Sequence, residues 1–197
     1  MESHNFSSQL NTYCKQGFYK GVSELLEGKV NINEKDQDGQ TPLINACSFR
    51  QTSIVELLLS RGANTEIRNN NGSTALHVAS LVGAADIVLL LLNGGANVNS
   101  KNRYGETPLM YAVDGDHSYT VKVLLYNKAD VNIQDNDGES ALMVAAAEKK
   151  NEIAILLLRS NARTDIKNNN GKTAMDIAIE EGNTNFGNLL RKYQITK

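Results

Sequence analysis

The stretch that decides the fold is NNNG at residues 69–72, which recurs letter for letter at residues 168–171. The two copies begin 99 residues apart, or three times 33, and a related tetrapeptide stands at each intermediate multiple of 33. The series is DQDG at 36–39, NNNG at 69–72, NRYG at 102–105, DNDG at 135–138 and NNNG at 168–171. A disordered polar tract has no such constant spacing, so these tetrapeptides mark the turns of a repeated unit.

The composition of the tetrapeptides explains their position in the unit. Asn and Asp tolerate left-handed backbone and bond their own main chain, and Gly accepts positive φ without steric cost. We therefore predict that each tetrapeptide is the tip of a hairpin-like finger between consecutive units.

A short helix is predicted directly after each finger. Two residues beyond each Gly stands a hydroxyl residue suited to cap a helix, followed by Pro or Ala. The capping residues are Thr41, Thr74, Thr107, Ser140 and Thr173. A large apolar residue and, three positions later, an Ala then share one face of each helix. The small residue allows neighbouring helices to approach closely.

The end of this first helix varies between units. Gly83 and Gly182 supply a left-handed residue there, but Arg50, Asp116 and Lys149 hold the same place in the other units. Either these three keep the left-handed conformation, at about 1 kcal/mol each, or the loop is rearranged.

A second helix follows in each unit, with apolar runs such as IVELLL at 54–59 and IVLLLL at 87–92. Six units then account for nearly the whole chain, including a degenerate first unit with Ser8 at the capping position and a more polar last unit. The predicted single domain spans 6–193, with units at approximately 6–37, 38–70, 71–103, 104–136, 137–169 and 170–193.

The two cysteines, Cys14 and Cys47, are also 33 residues apart. Equivalent points on stacked helices lie roughly 8 to 10 Å apart, beyond the ~7 Å Cα limit for a disulfide. We predict two free, mostly buried thiols.

Composition and charge narrow the class of protein. A formal net charge of −2 over 197 residues, without a basic stripe, disfavours nucleic-acid binding. No apolar run approaches the roughly 18 residues that span a bilayer, so we expect no membrane insertion. Residues 1–11 lack the apolar region of a signal peptide, which favours a cytoplasmic location and leaves open export of a chain whose signal has been removed.

The quoted units resemble the ankyrin repeat. The residues that carry the resemblance are GQTPLINAC, GSTALHVAS and GETPLMYAV, followed by IVELLLSRGAN and IVLLLLNGGAN, at the 33-residue period of that family. The resemblance covers about residues 6–193 and implies an all-α solenoid of stacked helix-turn-helix units with projecting β-hairpin-like fingers.

The resemblance also implies a function. Members of this family typically bind other proteins on a concave surface made by the fingertips and the exposed side of the first helices, and they rarely catalyse reactions. We therefore expect a monomeric protein-binding module that is not an enzyme and needs no cofactor or metal. The alternative is a regulatory or targeting segment of a larger enzyme, channel or secreted effector.

Eight residues on that surface are the predicted partner-binding residues. They are Phe49, Leu81, Val82, Arg103, Tyr104, Asp114, Asp137 and Glu148. The apolar ones suggest a binding patch and the carboxylates an acidic flank, which favours a partner with basic residues; packing between neighbouring fingers and an ordinary solvated face are the alternatives.

The three histidines and two cysteines have no metal-site spacing, and no phosphate-binding loop or nucleophile elbow is present. His77, which follows the Leu of a capped helix, is where the ankyrin family uses imidazole to bond neighbouring fingers.

Overall fold

The chain forms two layers of stacked helices. The computed structural model describes the backbone of residues 2–194 and the side chains of residues 6, 8–190 and 193, and in this part of the chain twelve α-helices follow one another as six helix-turn-helix pairs. The first members of the pairs, the inner helices, are α1 (Glu2–Gln16), α3 (Pro42–Ser48), α5 (Ala75–Leu81), α7 (Pro108–Asp114), α9 (Ala141–Ala147) and α11 (Ala174–Glu180). The second members, the outer helices, are α2 (Tyr19–Glu27), α4 (Thr52–Ser60), α6 (Ala85–Asn93), α8 (Ser118–Tyr126), α10 (Asn151–Arg159) and α12 (Thr184–Gln194).

Each helix packs on its counterpart in the next pair as well as on its own partner. Consecutive inner helices contact one another, and so do consecutive outer helices. This arrangement confirms the predicted all-α solenoid. Between the helix pairs the chain forms hairpin-like turns, and among the described residues the only bridge of β type is an isolated antiparallel one between Gln134 and Ser140.

The core is aliphatic and repeats with the sequence. The large and small residues predicted for the inner helices are buried, as Leu76 and Ala79 show in α5 with 0% exposure each. In the outer helices one Leu per unit is buried at the equivalent position. These residues are Leu58, Leu91, Leu124, Leu157 and Leu190. Every unit buries its apolar face against the next unit. Removal of a unit would therefore expose the apolar face of its neighbour to water.

The predicted helix caps are mostly confirmed. The hydroxyls of Thr41, Thr107 and Thr173 accept hydrogen bonds from the backbone N–H three residues later. Ser140 stands at the predicted cap position directly before α9, but its hydroxyl has no hydrogen-bond partner among the described residues. The N–H of Met143, which a cap would satisfy, donates instead to the backbone oxygen of Ser140 at 2.9 Å.

The prediction that Ser8 caps a helix is wrong. Helix α1 begins at Glu2, so Ser8 lies inside the helix, where its backbone oxygen accepts a bond from the Thr12 hydroxyl at 3.0 Å. Residues 2–7 contain neither Pro nor Gly, and nothing in their sequence stops the helix before Ser8.

The loops that join the two helices of a pair keep one conformation throughout. Arg50, Asp116 and Lys149 have φ of 55°, 58° and 58°, close to the 68° of Gly83. Of the two alternatives left open by the sequence, the structure therefore has the left-handed residue and not a rearranged loop. The same backbone bond closes each loop, for example from the N–H of His117 to the oxygen of Ala112 at 2.9 Å.

Both thiols are free and buried, as predicted. Burial raises the pKa of the Cys14 thiol to about 12 and also raises that of Cys47, where Cys14 adds a smaller effect in the same direction. Both cysteines therefore remain protonated at neutral pH and act as small apolar residues of the core.

Candidate functional site

The fingertips owe their shape to the first residue of each tetrapeptide. The Oδ1 of Asn69 accepts hydrogen bonds from the backbone N–H groups of Asn71 and Ser73, both at 3.0 Å. The same pair of bonds recurs at the other four tips, where the acceptors are Asp36, Asn102, Asp135 and Asn168. The tetrapeptide NNNG at 69–72 is thus a turn closed by its own first side chain, as predicted.

Neighbouring fingertips are tied to each other by backbone bonds. The N–H of Arg103 donates to the oxygen of Asn71 at 3.1 Å, and the N–H of Asn136 donates to the oxygen of Tyr104 at 2.9 Å. The side chain of Asn136 adds a bond to the Arg103 oxygen at 2.9 Å. These bonds hold successive fingers at a constant separation.

A second ladder joins the bases of the fingers. Lys101 Nζ donates to the oxygen of Gln134 at 2.8 Å, and Gln134 Nε2 donates to the oxygen of Lys167 at 3.0 Å. Arg68 makes the equivalent bond to the oxygen of Lys101. The sequence analysis missed this ladder, although its signal was present: the three donors are long side chains spaced 33 residues apart.

His77 is a structural residue, as the sequence predicted. Its Nδ1 lies 3.2 Å from the backbone N of Thr74 and 2.9 Å from the Thr74 hydroxyl, and its Nε2 lies 3.1 Å from the backbone oxygen of Glu106 in the next finger. Because a backbone N–H can only donate, Nδ1 is the acceptor, and the ring proton resides on Nε2 and is donated to Glu106. Tyr111 packs edge-on against the ring, with centroids 5.4 Å apart.

The burial of His77 makes the stability of the fold depend on pH. Burial lowers the pKa of His77 from 6.5 to about 4. A histidine with a depressed pKa contributes its full stability above its unfolded pKa and loses it as the pH falls towards the folded one. We expect the free energy of unfolding to fall by about 2 kcal/mol between pH 7.5 and pH 5 on account of this group.

Urea denaturation at the two pH values measures this effect. The His77→Gln variant should lack that part of the pH dependence, and His117→Gln should retain it, since His117 lies in a helix-linking loop with its Nε2 2.8 Å from the Leu81 oxygen. Equal pH dependence in the wild type and in His77→Gln would contradict the assignment.

The eight predicted partner-binding residues lie in two rows, which together we call the predicted binding surface. Arg103, Tyr104 and Asp137 are exposed on fingertips. The other five stand at the ends of inner helices, namely Leu81 and Asp114 as last helical residues, and Phe49, Val82 and Glu148 directly after their helices. A seven-residue inner helix separates the rows by about 10 Å.

Seven of the eight residues are exposed, and Val82 is the exception. Phe49, Leu81 and Tyr104 are 54%, 39% and 59% exposed, and the four charged residues are exposed too. Val82 is half-buried and packs against the core, while its backbone oxygen accepts a bond from Arg50 at 2.8 Å. Its side chain therefore has less area to offer a partner than those of Phe49 and Tyr104.

Between the two rows lies a groove of about 240 Å³. It is lined by Leu81, Glu106, Met110, Tyr111, Asp114, Asp135 and Val144. The groove brings together two of the eight predicted residues, Leu81 and Asp114. We call it the acidic groove, because an apolar floor meets three carboxylates.

The part of the chain that the structure describes contains neither a metal-binding cluster nor a membrane-spanning helix. No three His, Cys, Asp or Glu side chains come together there in a way that could hold a metal ion. Among residues 2–194, no helix is both long enough and apolar enough to cross a membrane.

The architecture agrees with a comparison against protein families. A family model described as ankyrin repeats, in three copies, matches residues 10–102 and 109–197. The chain belongs to the ankyrin repeat family. A search of curated proteins returns no match. Ankyrin repeats are in general protein–protein interaction modules, and the two rows described above lie on the fingertips and inner helices of this ankyrin stack.

Proposed function

We propose that this ankyrin protein binds a partner protein on the concave surface formed by its fingertips and inner helices. The observation that carries the proposal is the exposure of Phe49, Leu81 and Tyr104 on that side, in three consecutive units. Exposed aromatic and aliphatic side chains ringed by polar groups are the usual energetic centre of a protein interface. Arg103, Asp114, Asp137 and Glu148 form the polar surroundings.

The hydrogen bonds between fingers support the proposal. A surface built from long loops would lose conformational entropy when it binds, whereas fingers already tied through Arg103 and Asn136 lose little. The partner therefore meets a surface whose shape exists before contact. This rigidity favours specificity for one shape of partner over adaptation to many.

A comparison of two alanine variants tests the proposal. The wild type, the triple variant Phe49→Ala, Leu81→Ala, Tyr104→Ala and the control Tyr119→Ala, Tyr126→Ala are used to capture proteins from a lysate of the source organism, and retained proteins are quantified by mass spectrometry. Tyr119 and Tyr126 are 69% and 84% exposed on outer helix α8, away from the fingers.

We expect one set of proteins to be retained by the wild type and by the control but lost by the triple variant. Calorimetry with a purified partner should show an affinity loss of at least about tenfold in the triple variant. Unchanged affinity in that variant, or an equal loss in the outer-helix control, would overturn the proposal.

A further inference from the structure

The first unit of the stack contains a groove equivalent to the acidic groove, and the two differ in charge. The first unit contains a groove lined by Asn11, Lys15 and Asp36, among others. Adding 99 residues to these three positions gives Met110, Asp114 and Asp135, which line the acidic groove. The two grooves are thus the same feature of the repeat, three units apart.

In the first groove the carboxylate of the finger residue, Asp36, is paired with side chains of the same protein. Asp36 Oδ2 lies 3.0 Å from Lys15 Nζ and accepts a bond from Asn45 Nδ2 at 3.0 Å. The pKa of Asp36 is lowered as a result: burial acts to raise it, but the hydrogen bonds from Asn45 and Lys15 outweigh burial. The groove therefore accommodates an ammonium group against this carboxylate.

In the acidic groove both of those donors are replaced. The position of Lys15 is held by Asp114, and the position of Asn45 is held by Val144. Asp135 Oδ1 accepts hydrogen bonds from the backbone N–H groups of Asp137 and Glu139, as the equivalent oxygen does at every fingertip. The residues at the positions of Lys15 and Asn45 offer no donor to the other oxygen, Oδ2. Where the first groove holds a cation, this one holds a second anion.

The surrounding residues do not supply the missing charge. Among the described residues, no ion pair involves Asp114, Asp135 or Glu106. The nearby Lys150 is paired with Asp116 at 3.6 Å. Glu106 accepts a hydrogen bond from the uncharged amide Nδ2 of Asn102 at 2.7 Å. The equivalent pairs in the other units, Ser48 with Asn69, Leu81 with Asn102 and Ala147 with Asn168, carry no charge, so this excess of carboxylate is specific to one groove.

We propose that the acidic groove binds a lysine side chain of the partner protein, with the ammonium group between Asp114 and Asp135 and the aliphatic stem on Met110 and Val144. The apolar floor suits lysine, because the aliphatic stem of this side chain packs on apolar surface while its ammonium group stays near polar groups. This inference rests on the proposed function, because it identifies a chemical requirement of the partner at that surface. The incoming ammonium group takes the place that Lys15 occupies in the first groove.

The test uses small probes, so it does not require the partner. The ¹⁵N-labelled protein is titrated with Nα-acetyl-lysine N-methylamide and with its uncharged analogue, Nα-acetyl-norleucine N-methylamide, and the backbone amide shifts are followed by NMR. We expect the lysine probe to shift the amides of Asp114, Asp135 and Val144 and to bind about fivefold more tightly than the norleucine probe. Equal binding of the two probes to the wild type would overturn the proposal.

Two variants remove the groove's charge in different ways. Asp114→Lys recreates the internal pair of the first groove, so it should abolish the preference for lysine. Asp135→Asn removes one charge and keeps the fingertip turn, because Asn closes the same turn at positions 69, 102 and 168. The control Glu56→Lys makes the same charge change on the exposed side of outer helix α4 and should retain the preference.

The outcomes separate this proposal from the proposed function. Retention of the lysine preference in Asp114→Lys or Asp135→Asn would overturn the groove assignment and leave the result of the triple alanine variant unaffected. Conversely, a triple variant that still binds its partners would overturn the proposed function, and the probe titration would still report on the groove itself.

Discussion

Replacing Gly72 with alanine should lower the free energy of unfolding by about 3 kcal/mol, whereas the same change at Gly171 should cost about 1 kcal/mol. Both glycines end the tetrapeptide NNNG, and both have positive φ, 76° and 75°. The cost of forcing a side chain into the left-handed region is therefore the same at the two positions. Any difference between the variants comes from what surrounds them.

The surroundings differ because only Gly72 is covered by another finger. A Cβ at Gly72 would lie 2.8 Å from the backbone N of Arg103, and a Cβ at Gly171 would have no atom within 4 Å. The Arg103 N–H donates to the neighbouring oxygen of Asn71, so the added methyl group also strains the bond that ties the two fingers. Overpacking against backbone typically costs about 1 to 3 kcal/mol beyond the conformational term.

Urea denaturation followed by far-UV circular dichroism measures both variants under the same conditions. Gly171→Ala is the matched control, since it shares the turn, the sequence and the φ of Gly72. Equal destabilisation of the two variants would show that contact between fingers contributes nothing, and would contradict the packing described here.

The second large effect is expected in the core. Leu91 is fully buried in the last turn of outer helix α6, which packs on α4, α5 and α8. Leu91→Ala removes apolar contacts within its own pair and with both neighbouring pairs, and should cost about 4 kcal/mol. Since domains are stable by only about 5 to 15 kcal/mol in total, this is a large share of the stability.

Leu89 provides the control on the same helix. It is 38% exposed, so Leu89→Ala should cost less than about 1 kcal/mol. Native-state hydrogen exchange locates the effect of Leu91→Ala, and protection should fall most in α6 and in the helices that contact it. A comparable loss in the two variants would mean that stacking through the outer layer is not what stabilises the solenoid.

The helices, their order and the fingertips could be predicted because each depends on residues close together in the sequence. Thr107 and Pro108 form the cap and the first residue of α7, both favoured at these positions, and Asn69 closes its turn with N–H groups two and four residues away. The predicted cap at Ser8 is wrong and the hydroxyl bond expected of Ser140 does not form, in both cases for local reasons. At Ser140 the backbone oxygen, not the hydroxyl, takes the N–H of Met143, and at Ser8 no residue interrupts the preceding helix.

The conformation of the loops with Arg50, Asp116 and Lys149 could not be predicted from the sequence. The cost of a left-handed residue is about 1 kcal/mol, which is too small to exclude either conformation from sequence. The structure keeps the left-handed form because the bond that closes each loop, such as Lys150 N–H to the oxygen of Ala145, has the same geometry in every unit.

The sequence by itself determined that this protein is a solenoid, because a period of 33 residues forces every unit to bury the same apolar face against an equivalent neighbour. Only the tertiary structure decided which polar groups meet across units. Lys15 pairs with Asp36 in one groove, whereas no cation among the described residues pairs with Asp114 or Asp135 in the equivalent one. Such pairings depend on side chains that are distant in the chain and adjacent in space, and a repeated backbone places them at the same positions without dictating their charge.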